Sequence, residues 1–171
     1  IDSIEHGLFL TADDVATLGD RGGAWVPTIG AMEATRDELG PSSSGGRLFA
    51  QGLDNVRSLL AGAPDLGVAV LAGTDLQLAH GQVAAEALRL HEYGLTPPQV
   101  VAALTTTAYD HLGRPAPFEA GQPADVVFFD ADPRDDLTTL SRPVLALRHG
   151  VAVVGADRVP AELRPDRGRS P

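Results

Sequence analysis

Apolar residues fall along the chain in two rhythms. Short runs of strand length alternate with longer stretches in which apolar positions recur every three or four residues, the spacing of one helix face. Ser3–Glu5, 24–28 and 68–72 are the strand-like runs of the first part. Thr11, followed three residues on by Asp14, fits a capping box opening a helix to about Arg21, with Val15 and Leu18 on its inner face. Arg47 to Ala61 predicts a second helix striped by Leu48, Leu53, Val56, Leu59 and Leu60. Gln82 to Tyr93 predicts a third, with Val83, Ala87 and Leu90 beside Ala84, Leu88 and His91. Thr96-Pro97-Pro98-Gln99 starts a last helix, to about Leu112, with a hydroxyl at the N-cap and proline in the first turn. Gly30 to Gly46 lacks either rhythm and reads as the longest irregular stretch, most flexible at 41–46, either a lid or a surface insertion.

The resulting order, β-α-β-α-β-α-α, predicts a parallel α/β layer. After Gly113 the pattern changes. Gly121 to Asp125 is a turn into the apolar run Val126 to Phe129, which Asp132-Pro133 breaks. Val144 to Arg148, a His149-Gly150 turn and Val151 to Val154 predict a closing hairpin. The remainder is rich in Arg, Pro and Asp and has little to bury. The expected division is an α/β part at 1–115, an all-β part at 116–155 and a disordered tail at 156–171.

Composition narrows the function classes. At 171 residues the chain is too short for a complete eight-stranded α/β barrel, which takes about 250. Its 13 basic and 23 acidic residues give a net charge of -10, and without a basic run this argues against nucleic acid or an anionic membrane as partner. Cysteine is absent, so no disulfide or thiolate ligand exists. No apolar run approaches the roughly 20 residues of a membrane span and no signal peptide is visible, which makes the cytoplasm the default location. Lysine is missing, so a mechanism requiring lysine is not complete here. Ile1 to Gly7 reads as the end of a strand, so the chain is expected to be a fragment of a larger fold.

The run 68–72 delivers Gly73-Thr74-Asp75, which puts a carboxylate where a strand emerges, the place catalytic groups occupy in barrels and open α/β sheets. The alternative for Asp75 is an Asx-turn in which it caps its own loop. His6 follows the first strand, and His80 follows Asp75 closely enough for one short loop to return it to the same mouth; the plain alternative for His80 is an exposed loop histidine. Thr74 can orient Asp75 or simply help the strand exit. Glu5 alternates to the opposite side from His6, and Asp125 suits capping of the 121–123 turn. His91 and His111 read as helix residues and His149 as a hairpin-turn residue.

Taken in order, Ser3-Ile4-Glu5-His6-Gly7, Pro27-Thr28, Gly73-Thr74-Asp75, His80-Gly81, Gly94-Leu95-Thr96-Pro97, Leu112-Gly113, Gly121-Gln122-Pro123-Ala124-Asp125 and Asp132-Pro133 resemble the C-terminal half of an amidohydrolase-superfamily enzyme. The imidazolonepropionase-like and Xaa-Pro-dipeptidase-like branch is the most similar, over residues 1–155. The resemblance implies the last three strands of a (β/α)8 TIM-type barrel and the C-terminal strands of a small β-sandwich. It implies that His6 and Asp75 ligate a divalent metal, Zn²⁺ by the chemistry of the donors, that Asp75 also takes the proton from the attacking water, and that His80 lines the substrate side. The implied reaction is hydrolysis of a C–N bond in a small cyclic amide, amidine or dipeptide-like molecule.

The chain departs from the family where the first-strand His-x-His, the strand-four bridging residue and the fifth-strand His belong, and it has Ala116, Tyr109 and Asp110 at positions where other residues are usual. With only two of the expected ligands, the isolated chain is expected to be inactive. Its expected partners are a small-molecule substrate and either a second copy or the missing N-terminal half. The rival reading is a non-catalytic α/β remnant that folds by association.

Overall fold

The computed structural model describes residues 2–77, 81–114 and 120–158, and the chain divides into two compact units at 114/115. In the first unit, β1 (Ser3–Glu5), β2 (Ala24–Val26) and β3 (Ala69–Val70) form a parallel sheet in the order β1-β2-β3. Ile4, Trp25 and Val70 are in register across it. Trp25 and Val70 are buried against the helices, whereas Glu5 and Val26, on the alternate face, are exposed and half-buried. Parallel pairing brings the C-terminal ends of all three strands to one edge of the sheet. The α/β layer is thus observed.

Helix α1 (Ala12–Asp20) begins as its sequence predicts. Thr11 and Asp14 form the reciprocal capping box, and Val15 and Leu18 are buried. The stretch 30–46 corrects the sequence reading: it is not a loop. It holds α2 (Ile29–Leu39), and α3 (Ser44–Leu60) begins within it, capped by Ser43. The physical reason is that α2 has no local start signal. Its N-cap, Thr28, makes no side-chain capping bond, and the helix amides find their acceptor far along the chain. On α3, Leu53, Val56 and Leu60 are buried, but Leu48 is half exposed.

Helix α4 (Val83–Glu92) follows β3 and ends at Gly94. The last predicted helix is two: α5 (Pro97–Ala103) and α6 (Thr106–His111). The Ala103 carbonyl accepts from the amide of Ala72, two residues past β3, and the Thr105 hydroxyl donates back to the Val101 carbonyl. Both divert hydrogen bonds that a continuous helix would use. Trp25, Ile29, Leu60, Leu90, Leu95 and Val100 are fully buried and make the centre of this unit. Among the described residues no helix is long and apolar enough to cross a membrane.

The second unit is an antiparallel sheet, β4 (Val126–Phe128), β5 (Leu145–Arg148) and β6 (Val151–Val154), in that order. Its hairpin turn is the predicted His149-Gly150, with both residues at positive φ, 50° and 77°. Asp125 caps this turn, accepting from the His149 amide at 2.6 Å, rather than the 121–123 turn assigned to it from sequence. Val127, Phe128, Val151, Val153 and Val154 are exposed.

In this unit Asp132 accepts from the Arg134 guanidinium at 2.6 and 3.0 Å and from the Arg134 amide at 2.8 Å. These bonds to the charged form, the guanidinium's first, hold its carboxyl at about 2. A lowered folded-state value means the contribution is complete above the ordinary 3.8 and is lost as pH falls through about 2. A ¹³C carboxyl titration should therefore place Asp132 near 2, and Arg134→Gln should return it towards the ordinary range. A wild-type midpoint near 4 would refute the clasp.

Candidate active site

The three strand ends share a conformational peculiarity. Among the described residues, five non-glycine positions have positive φ, and four of them follow these strands: His6 (61°), Thr28 (47°), Asp75 (46°) and Leu76 (60°). Left-handed backbone is uncommon for non-glycine residues, and for a β-branched residue such as Thr28 it is a true outlier. Such strain persists only where the surroundings over-determine it, and it concentrates at functional sites.

His6 is held from both sides. Its amide donates to the Val26 carbonyl at 2.9 Å, and its own carbonyl accepts from the Trp25 indole at 3.0 Å. Gly7, at φ 66°, allows this approach, because a Cβ there would stand 2.6 Å from the indole nitrogen. Asn55, from α3, fixes the following loop by donating to the Leu8 and Leu10 carbonyls at 3.1 and 2.9 Å. The His6 ring itself is half-buried, with Nδ1 2.6 Å from the Thr28 hydroxyl. That hydroxyl also lies 2.8 Å from the Pro27 carbonyl.

At the third strand end, Gly73 packs so tightly that a Cβ would meet the Val26 side chain at 2.5 Å and the Thr28 methyl at 3.3 Å. Gly73 thus brings the end of β3 against the Thr28 turn. Asp75 follows, exposed, with Leu76 beside it 83% exposed. The Gln77 amide closes a turn onto the Thr74 carbonyl. Among the described residues no hydrogen bond joins the Thr74 hydroxyl to Asp75. His80 lies outside the described residues.

Two residues of this region lie outside the candidates that the sequence offers. Thr28 figures there only within Pro27-Thr28. Glu86 is a charged residue within the predicted Gln82–Tyr93 helix, yet it is fully buried. Its Oε1 accepts from the Ile29 amide at 2.7 Å and its Oε2 from the Gly30 amide at 2.9 Å, the first two amides of α2. Burial pushes its pKa up, and the two amides and nearby Arg89 oppose that. Arg89 in turn pairs with Glu33 at 2.7 Å, and the Tyr93 hydroxyl donates to Glu33 at 3.2 Å, so α4 is riveted to α2. The available signal was position: Glu86 is spaced three from Val83 and four from Leu90, on the face read as apolar.

His91, His149 and Glu5 have structural partners. His91 Nδ1 meets the Leu95 carbonyl at 2.8 Å, His149 Nε2 lies 3.8 Å from Asp125, and the exposed Glu5 carboxylate accepts from the Ser3 hydroxyl at 3.0 Å. His111 ends α6. No group of three His, Asp or Glu among the described residues is arranged to hold a metal ion. His6 and Asp75 fit such an ion in donor type and fall short in number.

No family model matches the chain. In three dimensions it superposes on a Xaa-Pro dipeptidase with bound methionine at TM-score 0.77 and 23% identity, over 91% of this chain and 40% of that one. The chain shares the fold of the matching part of that enzyme. Ochratoxinase of A. niger superposes at TM-score 0.76 and 23% identity, over 90% of this chain and 37% of its own. A bottromycin amidohydrolase does so at 0.68 and 24%, over 92% and 46%. In sequence the chain is 33% identical to uncharacterised proteins of Mycobacterium tuberculosis and Mycobacterium bovis, over 88% of its length and 42% of theirs. The chain therefore spans about two-fifths of the length of the curated relatives it matches.

Proposed function

We propose that the chain is the C-terminal part of a metal-dependent amidohydrolase that cleaves a C–N bond in a small cyclic amide, amidine or dipeptide-like substrate. The observation that carries this reading is the set of left-handed residues, His6, Thr28 and Asp75, at the C-terminal ends of three parallel strands. It is supported by the likeness of the fold to a Xaa-Pro dipeptidase and other amidohydrolases. In this proposal β1 to β3 are the last strands of an eight-stranded barrel, and β4 to β6 contribute to a β-sandwich beside it.

A divalent ion, zinc by donor chemistry, would be held by His6 and Asp75 together with donors outside these residues. When bound, it would polarise the scissile carbonyl and lower the pKa of water towards ~7. Asp75, exposed at the mouth, accepts the proton of the attacking water and passes it to the leaving nitrogen as the C–O bond forms and the C–N bond breaks. His80 lines the substrate side. The cytoplasm is the proposed location, and the partner is a complementary half-barrel or a second copy.

The test has two arms. The 171-residue chain should retain far less than one Zn²⁺ per molecule after gel filtration and should turn over no dipeptide or cyclic amide. A longer protein continuing it should bind metal and hydrolyse, and Asp75→Asn there should cut turnover by about 10²–10⁴. Stoichiometric zinc with turnover in the 171-residue chain would remove the half-site claim. A longer protein without turnover on any C–N substrate would favour the non-catalytic remnant.

A further inference from the structure

Thr28 occupies the N-cap of α2, where a threonine hydroxyl ordinarily accepts from an amide of the first turn. Here it does not. It is twisted to φ 47°, ψ 47°, and its hydroxyl is turned instead to His6 Nδ1 at 2.6 Å. Of the amides a capping Thr28 would serve, that of Gly30 goes instead to Glu86 of α4, which also takes the Ile29 amide, and that of Ala31 bonds the Thr28 carbonyl. A capping task that one residue normally performs is divided between two, and the released hydroxyl is spent on the imidazole.

The proton count then ties the tautomer of the ring to where the hydroxyl proton goes, to the Pro27 carbonyl or to Nδ1. Thr28 has one hydroxyl proton, and the Pro27 carbonyl, 2.8 Å away, can only accept. With the proton committed to Pro27, the Thr28 oxygen accepts from Nδ1, so Nδ1 carries hydrogen. Nε2 is left with a bare lone pair. This is the tautomer needed for a ring that binds a cation or takes a proton through Nε2.

We propose that Glu86 and Thr28 are positioning residues for His6: Glu86 caps α2 in place of Thr28, and the freed Thr28 hydroxyl holds the imidazole as the Nδ1–H tautomer with Nε2 open. The functional meaning rests on the reading of His6 as a metal ligand, but the tautomer itself does not. Neither residue touches the reacting atoms. The arrangement explains why a β-branched residue is kept in a left-handed conformation, since relaxing it would swing the hydroxyl away from Nδ1.

The experiment is long-range ¹H–¹⁵N NMR of the histidine rings in the full metal-free chain at mildly alkaline pH. Wild type should give a protonated Nδ1 and an unprotonated Nε2 for His6. Thr28→Ser, which keeps the hydroxyl, should preserve that pattern, and Thr28→Val should lose it to a mixture of tautomers. Glu86→Gln, which retains only one acceptor oxygen, should speed hydrogen exchange of the Ile29 or Gly30 amide by about tenfold and weaken the tautomer preference. Circular dichroism reports whether each variant folds, and the wild-type and Thr28→Ser spectra decide the matter if Glu86→Gln does not. An Nε2–H ring in wild type, or a pattern unmoved by Thr28→Val, overturns the relay. An intact Nδ1–H ring in a longer protein that binds no metal leaves the relay standing and sinks the metal-ligand reading instead.

Discussion

Replacing Glu86 with alanine should destabilise the first unit by about 3 kcal/mol, read as a lower urea midpoint at unchanged slope. Two buried amides, Ile29 and Gly30, lose their acceptor together, and each unsatisfied donor costs about 1–3 kcal/mol. Part of this is offset, because removing the carboxylate also removes the desolvation that pushes its pKa up. Arg89 keeps Glu33 as partner, so no uncompensated cation is created. Glu86→Gln, with one acceptor oxygen remaining, should cost clearly less than Glu86→Ala. Equal losses for the two would mean that packing, not capping, is what Glu86 contributes.

Gly19→Ala should also destabilise, by about 2–3 kcal/mol, although Gly19 lies inside α1. Helix propensity alone predicts the opposite sign, a gain of roughly 1 kcal/mol. The structure reverses it, because a Cβ at Gly19 would stand 1.9 Å from the Leu66 carbonyl oxygen and 2.8 Å from its carbon. The obstacle is backbone, in the short 3-10 turn Pro64–Leu66 that precedes β3, and backbone has no rotamer to yield. Thermal unfolding distinguishes the outcomes, since the two accounts differ in sign. A raised midpoint would show that α1 slides freely over that turn.

What could be read from sequence was what is decided locally. The capping box of Thr11 and Asp14, the Thr96 start with Gln99 reaching back to the Thr96 amide, and the His149-Gly150 turn each have their causes within a few residues. Helix α2 does not, because its acceptor lies on α4. The division between α5 and α6 does not either, because the Ala103 carbonyl is claimed by Ala72, two residues past β3. The same division runs through the candidate site. His6 and Asp75 were legible as residues at strand ends, since a strand's exit is a local event. The contact of His6 with Thr28, and the dependence of Thr28 on Glu86, exist only after distant segments meet.

That dependence has a consequence in time. At about 5–20 residues per second, roughly 3–11 s of synthesis separate the emergence of Ile29 from that of Glu86, 57 residues later. Through that interval α2 has its sequence but not its acceptor, and its first turn remains frayed. The left-handed Thr28 has no reason to form until α4 docks. The geometry around His6 is therefore a late event on the ribosome, and a nascent chain halted before α4 should lack it.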